Sequence, residues 1–581
     1  SSPNHRYLTS IVFITLLLAS GLVGIGGGSD PGSDISPVRS PEEPVGVYHW
    51  PMMMGDSNHS GYSGSMMPRA NKTLWNKPVP GMQDFMSPVY SDGVAYVGSG
   101  DGRLRGFNRT TGEEVFSIWI GNHPIVRSPI IVGDAITFGS ENGHIYSYDL
   151  RSGDKLWETN LRVKDIQSSP VYGGGMIFIG SSNISRSGFF ALNMSDGSIS
   201  WSLMMNDTEN FDGFRSDPAY HDGRIYLGDG WGDVYCLDAD GFEDGNDGFQ
   251  GESETGNGSA DILWSFDGAR RLIGGVMLAE GKTFIGDFAG YLHCFDAADG
   301  THLWEKRVGS GRTPSISSTP GYHDGVLYQL CRRSYEDVGI TRTGGSVVAV
   351  DPTTSDIIWR YNITETFLGS SPIITDDALL FGSEGSNVYC LNNSKERMED
   401  EKRLIWRRFV GAWIRSTPAI GDGNVFMSLN SGDGSGRLMC FGVPDLRITN
   451  ISVSDRTPFD GELVELTTRY ENRGSVAVDF DVKFDMTTRR NNPKITVFRN
   501  NGLHIEPGEG ITVSGEFAVR AGLPLLVSTT ENVLPGDLVP LIDDTQGVTI
   551  SIINLLEDHW TASGGGPEKD GHAGRRLDSN R

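Results

Sequence analysis

Cysteine is scarce in this chain: there are five in 581 residues, Cys236, Cys294, Cys331, Cys390 and Cys440. No Cys-Cys pair, CxxC or CxxCH occurs, so the usual spacings for thiol exchange, zinc binding and haem attachment are missing. Basic charge is also short, with 48 Lys and Arg against 74 Asp and Glu, a net charge of -26 and a pI near 4.8. Phosphate backbones need concentrated Lys and Arg, so nucleic acid is not an expected partner. The acidity reads as a solvated, soluble surface. Long apolar runs are absent with one exception, the 18 residues from Leu8 to Ile25, preceded by His5 and Arg6. That length lies between a signal-peptide core and a short membrane span. On either reading residues 1–28 contact a membrane, 29–47 form a linker, and the remainder is expected outside the cell or at its surface. Val548 to Leu556 is too short for a second span.

Glycine is plentiful, at 77 residues, beside 37% hydrophobic and 21% charged residues. This mix suits many short strands joined by tight turns. Ten Asn-x-Ser/Thr sequons, from Asn58 to Asn450, permit glycosylation of an exported chain.

One pattern recurs eight times. It opens on Ser-Pro or a variant, continues through two short strands separated by Gly turns, and ends on Asp/Asn-x-x-x-Gly and Trp. The clearest copy has Ser128-Pro129, Gly133, Phe138-Gly139-Ser140, Gly143, Asp149, Gly153 and Trp157. Other copies start near Ser87, Ser169, Pro218, Gly275, Pro320, Pro372 and Pro418. Their closing aromatics are Phe116, Trp201, Trp264, Trp304, Trp359 and Trp406. The eighth copy stops at Cys440-Phe441, and an orphan Leu74-Trp75 strand precedes the first. The N-terminal strand is therefore expected to complete the last unit and remove an open edge. Trp75, Trp157, Trp201, Trp264, Trp304, Trp359 and Trp406 are expected to anchor neighbouring units to one another. Four strands per unit at this period suggest propeller blades.

The spacing Asp149 to Gly153 to Trp157, repeated as Asp296 to Gly300 to Trp304, resembles the pyrroloquinoline quinone (PQQ) repeat. The opening Trp50-Pro51, Gly55-Asp56, Asn58-His59 and Gly61 is similar to the lead-in of PQQ-like propeller proteins. The resemblance implies an all-β fold with an eight-bladed propeller over residues 48–443, closed by the N-terminal strand. That family includes dehydrogenases, scaffold lipoproteins of β-barrel assembly and surface proteins, so its fold does not set its function. Its dehydrogenases hold the quinone and a calcium ion in the funnel, commonly under a vicinal Cys pair. This chain has no such pair and no acidic cluster matching that pattern, so no catalytic residue is carried across and PQQ is not expected. The expected role is an exported scaffold or binding protein for a cell-envelope protein or glycan. A PQQ-dependent dehydrogenase and an envelope assembly factor are the alternatives.

Four of the cysteines, Cys236, Cys294, Cys390 and Cys440, share one repeat position, where other copies carry Gly106, Ser147, Ala191 and Ala349. A site taking only small residues is a tight packing site, and equivalent positions in separate units lie beyond disulfide reach. An insertion between Cys236 and Trp264 carries Asp238, Asp240, Asp244, Asn246 and Asp247 among glycines. Oxygen ligands in that density suit calcium, but the spacing departs from an EF-hand and a solvated acidic loop is the favoured reading. Arg215, Arg271, Trp413 and Arg415 precede the first strand of their units and form a candidate binding rim.

After Pro444 the alternation changes to that of a sandwich, as in Leu463-Val464-Glu465-Leu466 and Val476, Val478, Phe480, Val482. With Pro458, Gly461-Glu462 and Asn472-x-Gly474 this stretch resembles the CARDB family of Ig-like domains. An Ig-like β-sandwich is expected over 444–541, followed by an extension over 542–581 that is partly disordered.

Overall fold

A computed structural model describes residues 49–534 and 545–549, apart from 66, 69–72, 184–185, 206–212, 242–248, 251–259, 338–339, 397, 443–445, 456, 473–477, 488–493, 506–508 and 521–524. The apolar N-terminal run, Asp244, Asn246 and Asp247, and the stretch from 550 onward lie outside the described residues. Among the described residues no helix is long and apolar enough to cross a membrane. The chain divides into two compact units, one ending at Val443 and one beginning at Pro444.

The first unit contains eight antiparallel sheets. Sheet one pairs Val89–Ser91, Val94–Gly98, Arg103–Asn108 and Glu114–Trp119 in chain order. The same order recurs in sheets two to seven, which begin at Ile130, Val171, Ala219, Met277, Gly321 and Ile373. Sheet four gains a fifth strand, Phe249–Gln250, from its insertion. Sheet eight takes Ala419–Gly421, Asn424–Leu429 and Ser435–Phe441 from the end of the unit, and its fourth strand, Thr73–Pro80, from the beginning. The expected sharing of the last sheet between the two ends is thus present in its register, with Trp75 opposite Cys440.

That register also explains the small-residue position. Each closing aromatic sits directly across from it: Phe116 from Gly106, Trp157 from Ser147, Trp201 from Ala191, Trp264 from Cys236, Trp304 from Cys294, Trp359 from Ala349 and Trp406 from Cys390. A larger side chain there would push the ring off the sheet. All five cysteines are buried and unbridged, and burial raises the Cys236 and Cys294 thiols to about 12. They pack as small apolar groups.

Indoles tie most sheets to the next. Trp157 Nε1 donates to Met194 O at 2.8 Å, Trp201 to Ala239 O at 2.9 Å, Trp264 to Ala297 O at 3.2 Å and Trp75 to Arg109 O at 2.7 Å. Each acceptor directly follows the Asp or Asn that opens the turn of the following sheet. The turn glycine is needed twice over. Gly197 has φ +72° and Gly300 φ +73°, and a Cβ on either would stand within 2.6 Å of the docked Trp157 or Trp264 ring. The Asp or Asn that opens the turn accepts backbone N–H groups, as Asp149 does from Arg151 and Ser152. Trp359 departs from the pattern: its ring lies 4.0 Å under the Arg403 guanidinium.

The short first strands lie against one another in succession from sheet one to sheet seven, and that of sheet eight returns to sheet one. A belt of hydrogen bonds joins them: Gly275 N to Thr319 Oγ1 at 2.9 Å, Thr319 N to Ser371 Oγ at 2.9 Å, Ser371 N to Thr417 Oγ1 at 3.1 Å and Thr417 N to Ser87 Oγ at 2.9 Å. The lead-in crosses the same sheets in order. Trp50 exchanges backbone bonds with Tyr90 of sheet one, and Pro51 O accepts from Ile131 of sheet two. Ser57 O, Asn58 O, Ser60 O and Gly61 O then accept from Tyr220, Leu278, Tyr322 and Ile374, and Ser65 Oγ accepts from Gly423 of sheet eight. This is an all-β arrangement of successive four-stranded sheets, consistent with a propeller.

The second unit has a three-stranded sheet, Leu446–Val453, Leu463–Asn472 and Gly510–Ala518, and a four-stranded one, Lys494–Ile505, Val478–Thr487, Leu525–Leu534 and Thr545–Thr549. Alternate residues of both sheets, among them Val464, Leu466, Tyr470, Phe480, Val482 and Phe484, form one core cluster. Thr545–Thr549 pairs with Leu525–Leu534, which carries this unit past the boundary expected at 541.

Candidate functional site

The connections that lead into each first strand gather on one side of the eight sheets, and their side chains set the chemistry there. Arg415 is held by two carboxylates: its Nη2 lies 2.6 Å from Glu384 and its Nη1 bonds Asp84, while its guanidinium stacks 5.0 Å from the ring of Trp413. Asp84 also accepts from Asn430 Nδ2 at 2.7 Å. This expected rim residue is therefore already neutralised, which disfavours it as an anion ligand; Trp413 remains 44% exposed. Arg215 donates to Gln167 at 3.4 Å, and Arg271 lies 5.8 Å from the ring of Phe288. Trp413 and Arg415 thus share one connection, Arg215 and Arg271 occupy two others, and the four do not form a single cluster.

Arg127, absent from that rim, sits closer to the centre. Other copies place Ser168, Ser216, Ser318, Ser370 and Ser416 at its position. It is 9% exposed, lies 4.9 Å from the ring of Phe85 and is opposed by Asp217. Burial holds its guanidinium below the usual range. With Met53, Phe85, Asp217, Thr319 and Ser371 it lines a cavity of about 20 Å³. Such a space holds about one water, whereas a drug-sized ligand needs about 300 Å³ or more. A tricyclic quinone does not fit there.

A larger opening lies between sheets five and six. Arg270, Arg307, Arg312 and Arg332 line a pocket of about 590 Å³ together with Phe288, Tyr291, Thr313 and Ser315. Arg307 ends the strand His302–Arg307 and faces Tyr291 across the sheet, while Arg332 belongs to Val326–Asp337 of sheet six. Arg307 Nη2 donates to Gly311 O at 3.2 Å, and the Arg332 backbone N–H donates to Ser315 O at 2.8 Å. Among the described residues none of the four forms an ion pair. Four guanidinium groups converging in a chain of net charge -26 make a local positive field opposite in sign to the molecule. Their planar forks suit carboxylate, sulfate or phosphate oxygens. Of the four, the sequence reading reached only Arg270, through the Arg270-Arg271 pair that supplies the rim residue Arg271. Arg307, Arg312 and Arg332 lie further along the chain, and the signal available was the density of Arg between 307 and 333.

At the acidic insertion, Asp238 takes the turn role of Asp149 and Asp296, with Oδ1 accepting the Asp240 N–H at 3.1 Å. Among the described residues no group of three potential metal ligands includes Asp238 or Asp240.

Comparison with known proteins agrees with this architecture. The solved quinohemoprotein alcohol dehydrogenase ADHIIG of Pseudomonas putida HK5 is 12% identical with a TM-score of 0.53, covering 68% of this chain and 80% of that one. The quinohemoprotein alcohol dehydrogenase structure from Comamonas testosteroni gives 12% and 0.54 over the same shares. A curated quinohemoprotein alcohol dehydrogenase of Comamonas testosteroni is 26% identical over 184 residues, 29% of this chain and 22% of the relative, so the match spans about a fifth of that protein's length. At these identities the likeness shows the fold, a quinoprotein alcohol dehydrogenase-like propeller. Residues 67–241, 255–332 and 343–441, more than half of the chain, match the family described as outer membrane protein assembly factor BamB, and the chain belongs to that family.

Proposed function

We propose that this chain is an exported binding scaffold whose propeller captures an acidic polymer of the cell envelope, a glycan or a protein segment, in the arginine pocket between sheets five and six. In this reading the eight sheets are the blades of one closed ring. The second unit is an Ig-like sandwich of the CARDB kind that serves as a spacer. The apolar N-terminal segment directs export or anchors the protein at a membrane. The observation that carries the proposal is the convergence of Arg270, Arg307, Arg312 and Arg332 without carboxylate partners in an otherwise acidic molecule. Dehydrogenase activity is the weaker reading because the axial cavity of about 20 Å³ has no room for the quinone. An assembly role draws on the family description, and it differs only in making the acidic partner a protein.

Titration calorimetry of the full chain with polygalacturonate and with an acidic peptide tests the binding. Saturable binding that weakens with added salt is expected, with a loss of at least about tenfold in Arg312→Glu and Arg332→Glu. Equal affinity in both variants, or no binding of either ligand at low salt, would count against the pocket. Preference for the glycan would count against the assembly reading, whereas preference for the peptide fits both.

A further inference from the structure

Sheet five carries a second constellation on the hairpin that borders the arginine pocket. Its strands Tyr291–Asp296 and His302–Arg307 are antiparallel, with His293 opposite Glu305 and Phe295 opposite His302. Between these pairs the register shifts by one residue, so that Cys294 faces Trp304 and Leu303 is left unpaired. Without that bulge, period-two alternation would put His302 and Glu305 on opposite faces; the extra residue brings them to the same one.

One ligand atom from each of His293, His302 and Glu305 lies within 4.8 Å of the other two. Two of the ring nitrogens, His293 Nδ1 and His302 Nε2, are buried and have no hydrogen-bond partner. Buried polar atoms in native structures are almost always satisfied, and two orphans on rings whose centres stand 5.5 Å apart call for an explanation. The opposite nitrogen of His293 supplies part of it. Its Nε2 lies 3.2 Å from Asp287 Oδ2, and Asp287 Oδ1 accepts the N–H groups of Ala289 and Tyr291. An ionised Asp287 requires the proton on Nε2, which leaves Nδ1 with a bare lone pair. A carboxylate behind a ligating imidazole is the usual outer partner of a metal-bound histidine. His302 is fixed by ring contacts at 4.9 Å with both Phe266 and Phe295. Glu305 is mostly exposed, leaving water one open side.

We infer that His293 Nδ1, His302 Nε2 and the Glu305 carboxylate form a site for a divalent transition-metal ion of the zinc class, with a fourth position open to solvent. Two imidazoles and a carboxylate match the donors zinc accepts in three-ligand sites. Tetrahedral ligands at zinc-like distances stand roughly 3.4 Å apart; His293 Nδ1 and Glu305 Oε2 are already 3.8 Å apart. Small rotations of the exposed Glu305 and of His302 complete the closure.

The test is cobalt titration of the full, untagged chain after stripping with a chelator, read as visible absorption. One Co²⁺ per chain with strong d–d bands, displaced by Zn²⁺, is expected; an all-oxygen site such as the acidic insertion would give only the pale spectrum of octahedral cobalt. Glu305→Gln and His302→Phe should each weaken binding by about tenfold or more, and Asp287→Asn by about 10- to 100-fold. His302→Phe keeps the ring packing, so its metal-free thermal unfolding should match wild type. If that variant folds normally yet binds cobalt with unchanged strength and spectrum, the imidazoles are packing groups and the site does not exist. A pale spectrum from the wild-type chain overturns it as well.

Discussion

At the scale of single residues, the repeat imposes roles that override a residue's usual signal. Asn108 and Asn193 form sequons, yet their side-chain oxygens accept turn N–H groups at the position where other copies carry Asp149 and Asp296. Turn chemistry therefore accounts for part of the sequon count. Asp229 offers a pH-dependent case. It is fully buried, accepts the N–H groups of Trp231, Gly232 and Asp233 and receives the Tyr235 hydroxyl at 3.1 Å. Burial, aided by the nearby Asp233, outweighs those donors and pushes its pKa up to about 6. The folded state then binds more protons than the unfolded one between about pH 4 and 6, so this contribution to stability falls as pH rises through that window. Asp229→Asn keeps the acceptor oxygen and removes the ionisation. Relative to wild type it should gain up to about 3 kcal/mol between pH 4 and pH 7 in urea unfolding. A difference between the two proteins that does not change with pH would show that the fold leaves Asp229 unperturbed.

At the scale of elements, much of the first unit was legible because its motif has a local physical cause. Trp needs a small residue opposite and a glycine beneath, and both recur at fixed spacing. The glycine turn makes this measurable. A Cβ at Gly197 would meet Trp157 at 2.4 Å, but at Gly153, with φ +75°, it meets nothing within 4 Å, and the preceding sheet there ends in Phe116 in place of Trp. Gly153→Ala should cost about 1–2 kcal/mol for the left-handed backbone alone. Gly197→Ala should cost about 1–3 kcal/mol more for the clash with the ring, as read from denaturant midpoints; equal costs would mean that the indole yields freely. The candidate sites were less legible. Arg270, Arg307, Arg312 and Arg332 come from two connections and from strands of two sheets, so no short window contains them. His302 and Glu305 read as opposite faces until the bulge at Leu303 is known. Arg127 could have been noticed as the one charged side chain at a position held by serine in most copies. The sandwich-like alternation after Pro444 was also readable, but its last strand, Thr545–Thr549, is short and polar and gives little pattern.

At the scale of the whole molecule, the two ends of the first unit meet in sheet eight. Thr73–Pro80 covers Ser435–Phe441, and Trp75 joins a core containing Phe107, Phe426, Trp406 and Phe441. Removing everything before Met82 should strip sheet eight of its outer strand, leave the edge of Ser435–Phe441 unpaired and remove one anchor between sheets eight and one. Self-association measured by light scattering is expected to rise sharply in that truncated chain, and adding back a peptide of residues 73–80 should suppress it. A truncated chain that stays monomeric would mean that the edge is protected by some other device.

The lead-in that touches nearly every sheet in turn also sets a clock. Its partners Ile374 and Gly423, and the whole of Ser435–Phe441, are made more than 300 residues after it. At ordinary elongation rates Thr73–Pro80 waits roughly 20–70 s for its mate. Thr73–Pro80 is thus among the last segments to be immobilised, and sheet eight of a nascent chain stays incomplete until synthesis has passed residue 441.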